Sequence, residues 1–175
     1  MNDKKYDGVY YKFHKVEDLK ELICISAEKF ADNNAYLQKN KETGNFEPIK
    51  YSDVKSDIDA LGTKLVNMGL SGKKIAVIGE TSYSWILTYF TVVCGVGVIV
   101  PLDKNLPAGE LLGLIERSGA EAIVYSEKCR KNIAGLFDDP KSIRYLISME
   151  KSSSGSTMSD DPVLGSTTLM RCFTT

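Results

Sequence analysis

Residues 73–107 read KKIAVIGETSYSWILTYFTVVCGVGVIVPLDKNLP, and the change of period inside this stretch decides the fold. Residues 74–78 open it with a continuous apolar run, Ile75-Ala76-Val77-Ile78, of the kind a strand shows when both of its faces are buried. Residues 82–94 then place Trp85, Leu87 and Tyr89 among apolar neighbours at helical spacing. Gly95 and Gly97 break that helix, and the β-branched run 96–100 predicts a buried strand, with its core at 98–100 and Pro101 as its end. A strand, a helix and a second strand in so short a span require a crossover, and therefore a parallel pair.

Residues 85–102 carry no charge and approach the roughly 20 residues that cross a bilayer. The internal glycines argue against one membrane helix, because they separate a helical half from a β-branched half.

Downstream, the alternation continues with a helix over 107–117, a strand over 121–125, a short helix over 127–136 and a strand over 143–147. Pro107 suits a first helical position and Gly119 the residue just past the end. Upstream, Leu19, Leu22, Ile23, Ala27 and Phe30 predict a helix over 16–30 with one core-facing stripe. Residues 35–38 and 46–49 read as a hairpin around KNKETGN. Val54, Ile58, Leu61, Leu65 and Met68 define a further helix, with Ser52 as its cap and Gly69 as its left-handed stop. The fold class is thus α/β: a parallel sheet with helices on both faces, preceded by a short hairpin. The expected organisation is a segment at 1–34 with one amphipathic helix, an α/β domain at 35–150, and a polar loop or disordered tail at 151–175, where Ser, Thr, Gly and Asp dominate.

A net charge of −1 gives no field to gather nucleic acid or anionic lipid. The opening residues lack the apolar run of a secretory signal, which leads to the expectation of a cytoplasmic chain. Cys24, Cys94, Cys129 and Cys172 form no C-x-x-C pair, and His14 is the single histidine. Reduced thiols and no zinc set are the expectation.

Candidate phosphate motifs fail on their context. Gly95-Val96-Gly97 precedes a strand instead of following one, and the turn Gly79-Glu80-Thr81-Ser82 has one glycine and carries an acid. The tract Ser152-Ser153-Ser154-Gly155-Ser156-Thr157 has the hydroxyls of a phosphate loop, but Met158, Ser159, Asp160 and Asp161 follow where a lysine is needed. His14 has no evident nucleophile or carboxylate partner, and the Trp85, Tyr89, Phe90 stripe reads as core.

Taken in order, Tyr51 to Val54, the Leu61, Leu65 and Gly69 pattern, Ile75 to Ile78, Trp85, Gly95 to Gly97 and Pro101 to Asp103 resemble the N-terminal region of AMP-forming acyl-CoA synthetases. Leu106-Pro107, Glu110-Leu111, Ser118-Gly119-Ala120 and Ile123-Val124 continue the likeness, which covers residues 35–130. Two departures stand out: Glu80-Thr81 replaces a frequent asparagine, and nothing beyond residue 150 matches.

The resemblance implies a fatty-acyl-type acid–CoA ligase. In it a carboxylic acid attacks the α-phosphate of Mg-ATP to give acyl-AMP and pyrophosphate, and CoA then displaces AMP. The resemblance places the phosphate loop, the acidic magnesium ligand, the ribose-holding aspartate and the C-terminal lysine downstream. It therefore implies no catalytic, cofactor-binding or metal residue here, an inactive N-terminal piece that binds neither ATP, Mg nor CoA alone, and self-association through uncovered sheet. Two other readings stand beside it: a non-catalytic, flavodoxin-like nucleotide-binding module, and an interaction piece that completes a partner.

Overall fold

The computed structural model describes residues 15–40, 43–150 and 167–168. A first layer begins with α1 (Leu19–Lys29), whose start is capped by Asp18 accepting from the Glu21 amide at 2.7 Å. The hairpin follows as β1 (Asn34–Lys39) and β2 (Phe46–Lys50), paired antiparallel with Leu37 opposite Pro48. Both strands extend slightly beyond their expected bounds.

The helix α2 (Tyr51–Asn67) buries Val54, Ile58, Leu61 and Leu65 along one stripe, as the spacing predicts. Fully burying each of these leucines contributes roughly 1.5–3 kcal/mol. Its start differs from the expectation. Asp53 accepts from the Lys50 amide at 3.2 Å, while the Ser52 hydroxyl donates to the Ala31 carbonyl at 3.0 Å and fastens the preceding turn. Gly69, at φ 76°, ends the helix in the left-handed region.

Five parallel strands form the central sheet: β3 (Lys74–Ile78), β4 (Val98–Pro101), β5 (Ala122–Tyr125), β6 (Tyr145–Ser148) and β7 (Thr167–Thr168), in the order β4-β3-β5-β6-β7. The expectation for 151–175 falls outside the described residues apart from β7, which departs from it by pairing Thr167 with Ile147. β4 also differs from the buried strand expected. Among the described residues it lies at the sheet edge with only β3 paired to it, Val96 belongs to the preceding turn, and Val98 is 54% exposed.

Alternate residues of β3 face opposite cores. Ile75 and Val77 pack with α2 and α3 (Tyr83–Thr91), whereas Ala76 and Ile78 pack with α4 (Ala108–Ser118), a 3₁₀ helix (Glu127–Ile133) and α5 (Gly135–Asp138). The three-layer reading is thereby confirmed. The continuous helix expected over 82–94 stops at Thr91, because Gly95 at φ 151° turns Val92–Val96 into a π-type turn. Pro107 sits one position outside α4 as its cap residue, and Gly119 ends that helix at φ 66°. The segment expected as one short helix at 127–136 is instead the 3₁₀ helix followed by α5.

The stripe expected to bury α1 does not. No α1 residue is fully buried, and Leu19, Leu22 and the adjoining Phe30 are 40%, 39% and 48% exposed. Only Ile23 of that stripe packs against the core. Among the described residues, no helix is long and apolar enough to cross a membrane.

Candidate functional site

In an open parallel sheet, ligands enter at the carboxyl ends of the strands where successive crossovers leave toward opposite faces. Here that place lies between β3 and β5, since α3 covers one face and the 3₁₀ helix the other. Parallel register sets Ile78 beside Tyr125 and Tyr125 beside Ser148. Residues 79–80, 126–127 and 149–150 therefore emerge side by side.

Hydrogen bonds then close this rim on itself. The Ser126 hydroxyl donates to Glu80 Oε2 at 2.8 Å, and the Ser148 hydroxyl donates to Glu127 Oε1 at 2.9 Å. The Glu127 amide donates to Glu150 Oε2 at 2.9 Å. Gly79 makes the first contact feasible, because a Cβ there would lie 3.1 Å from the Ser126 Cβ. Bonding from Ser126, with smaller help from Lys128 and Lys104, holds the Glu80 carboxyl below its ordinary range. Lys104 Nζ stands 3.9 Å from Glu80, and Arg130 3.6 Å from Glu127.

Chemically, the rim presents three carboxylates whose oxygens are occupied by its own serines, amide and cations. A phosphate placed there meets like charge, and the neighbouring cations already face acids. Among the described residues no His, Cys, Asp and Glu cluster of three or more is grouped as metal donors. With its acids bonded to its own serines and amide, the rim disfavours a bare phosphate.

The motifs weighed in the sequence take structural places. Gly97 permits backbone approach: a Cβ there would stand 2.2 Å from the Lys73 carbonyl oxygen, beside the 2.9 Å bond from the Val98 amide to that oxygen. Ser82 caps α3 by accepting from the Trp85 amide at 3.2 Å. Trp85 stacks on Tyr89 with ring centroids 5.8 Å apart, and Trp85 and Phe90 pack against the core from half-buried positions. His14, the tract 152–157 and Cys172 lie outside the described residues. The acid–serine rim itself was missed in the sequence, because its members are separated by 46, 21 and 23 positions along the chain.

Residues 25–166 match the AMP-binding enzyme family, a span that contains the residues carrying the resemblance. A CoA ligase from Gibberella moniliformis is 36% identical over 59 residues, covering 34% of this chain and 10% of that protein. A polyketide synthase-nonribosomal peptide synthetase from Aspergillus flavipes is 26% identical over 106 residues, covering 60% of this chain and 3% of its length. The fold is shared with a putative long-chain-fatty-acid CoA ligase from Rhodopseudomonas palustris, at TM-score 0.70 and 15% identity, over 88% of this chain and 35% of that one. It is shared also with the Mycobacterium tuberculosis fatty acyl CoA synthetase, at TM-score 0.65 and 17% identity, over 74% and 26%. This chain thus spans a small part of each relative's length. With the family match covering most of its residues, the chain belongs to the AMP-binding enzyme family.

Proposed function

We propose that this chain is the opening part of the acid-activating domain of an ATP-dependent acid–CoA ligase, with a fatty acid as the substrate class of the whole enzyme. Its contribution is architectural: residues 35–150 supply the first strands and the helices that pack both faces. The polypeptide acts in the cytoplasm, and the phosphate, metal and thioester chemistry resides in residues other than those described. On its own it neither activates a carboxylic acid nor forms acyl-CoA.

One observation carries this reading. The carboxyl rim of the sheet holds Glu80, Glu127 and Glu150 in bonds to its own serines and amide, which disfavours phosphate at the place where such a sheet receives ligands. The fatty-acid assignment draws on neighbours described as a fatty acyl CoA synthetase and a long-chain-fatty-acid CoA ligase.

Pyrophosphate release by the full chain, measured with ATP, magnesium, CoA and in turn a long-chain fatty acid, acetate and an aromatic acid, tests the proposal. Rates equal to the protein-free background are expected with every acid. Turnover above background with any of them would overturn it.

A further inference from the structure

The π-type turn Val92–Val96 and α1 pack with Cα atoms within 8 Å of one another. Between them and α2 lies a cleft of about 330 Å³ into which both Cys24, from α1, and Cys94, from the turn, project alongside Lys55. Both thiols are free and half-buried, whereas Cys129 is buried on the opposite face of the sheet. Neither Cys24 nor Cys94 serves the acid–serine rim.

We infer that Cys24 and Cys94 form a reversible dithiol–disulfide pair that fastens α1 to the turn when the chain meets a low-molecular-weight disulfide. This inference does not rest on the ligase reading, because it concerns a different face of the molecule. Three observations support it. The thiols share one cleft, Cys24 is among the charges felt at Cys94, and both are felt at Lys55. α1 is weakly held, with no fully buried residue, so it can adjust to the separation a disulfide demands. The cleft itself, about 330 Å³ between α1, α2 and the turn, leaves room for that adjustment.

The chemistry balances by two exchanges. The Cys24 thiolate attacks one sulfur of the small disulfide, whose S–S bond breaks and releases one thiolate. The Cys94 thiolate then attacks the Cys24 sulfur of the mixed disulfide and expels the second thiolate. Two protein thiols are oxidised, one small disulfide is reduced to two thiols, and the two protein protons pass to solvent or to those thiolates. Desolvation raises the Cys94 thiol above its ordinary range and so lowers its thiolate fraction; what drives the second attack is that it is intramolecular, within one cleft.

Incubation of the full chain with oxidised glutathione, followed by peptide mapping without reduction, tests the inference. The expected product is about 2 Da lighter than the reduced chain and carries a Cys24–Cys94 link. It should melt roughly 5 °C or more higher, an increase that dithiothreitol reverses. In Cys94→Ser, Cys24 should stop at the glutathione adduct. Persistent glutathione on Cys24 or Cys94 of the wild-type chain, links from either to Cys129 or Cys172, untouched thiols, or a link without a raised melting temperature would each overturn it.

Discussion

The Tyr83 hydroxyl donates a 2.6 Å hydrogen bond to Oδ2 of Asp57, joining the first turn of α3 to the middle of α2 across a half-buried seam. Tyr36 of the hairpin packs on the same ring, with centroids 5.6 Å apart. One phenol therefore ties together the hairpin, α2 and α3. Burial pushes the Asp57 carboxyl above its ordinary value, and the bond from Tyr83 offsets only part of that.

A pH signature follows from that direction. A raised carboxyl contributes stability that is fully present below its unfolded value of 3.8 and is lost as pH rises through its higher folded value. Asp57→Asn lacks this titration yet can still accept from Tyr83. The difference in melting temperature, Asp57→Asn minus wild type, is expected to grow more positive between pH 4 and pH 7. A difference that stays constant across that range would contradict the assignment.

Glu80 has the opposite sign. Its lowered carboxyl contributes stability above its unfolded value of 4.5 that is lost as pH falls through the lower folded value. Ser126→Ala removes the first cause of the lowering, so the Glu80 side-chain NMR titration should move to higher pH. An unmoved titration would show that the rim bond does not hold the acid.

Two glycines should respond in opposite directions to alanine. Gly97→Ala forces a Cβ against the Lys73 carbonyl and is expected to cost about 1–3 kcal/mol or more in urea denaturation. Gly113, inside α4, meets nothing within 4 Å, and Gly113→Ala should stabilise by roughly 0.5–1 kcal/mol. Equal effects at the two sites would remove the argument from close approach.

Self-association, if it runs through an open sheet edge, has a candidate place at β4. Among the described residues only β3 pairs with β4, and the other edge, with a 54% exposed Val98, offers a template for a second chain. Sedimentation should show concentration-dependent association of the wild-type chain and a weaker tendency in Val98→Lys. A wild-type chain that stays monomeric across the accessible concentrations would refute this.

Much of the scaffold was legible because its signals are local. The apolar run at 74–78, the α2 stripe and the left-handed stops at Gly69 and Gly119 are each written in a few neighbouring residues. What escaped depends on the assembled sheet. The edge position of β4 follows from strand order, which no residue in 96–100 encodes. The weak burial of α1 depends on what packs beside it, and its apolar spacing cannot report that. β7 had a local signal in Thr167-Thr168 followed by Leu169-Met170, but its polar surroundings outweighed it in the compositional reading. The acid–serine rim appears only once parallel register sets residues from three strands side by side.

The most direct measurement is a titration of the full 175-residue chain with magnesium ATP, followed by calorimetry and by amide NMR shifts. The account expects no saturable heat and no localised change at Gly79, Glu80 or Ser126. One-to-one binding with a Kd below about 1 mM, with shifts centred on those amides, would contradict it.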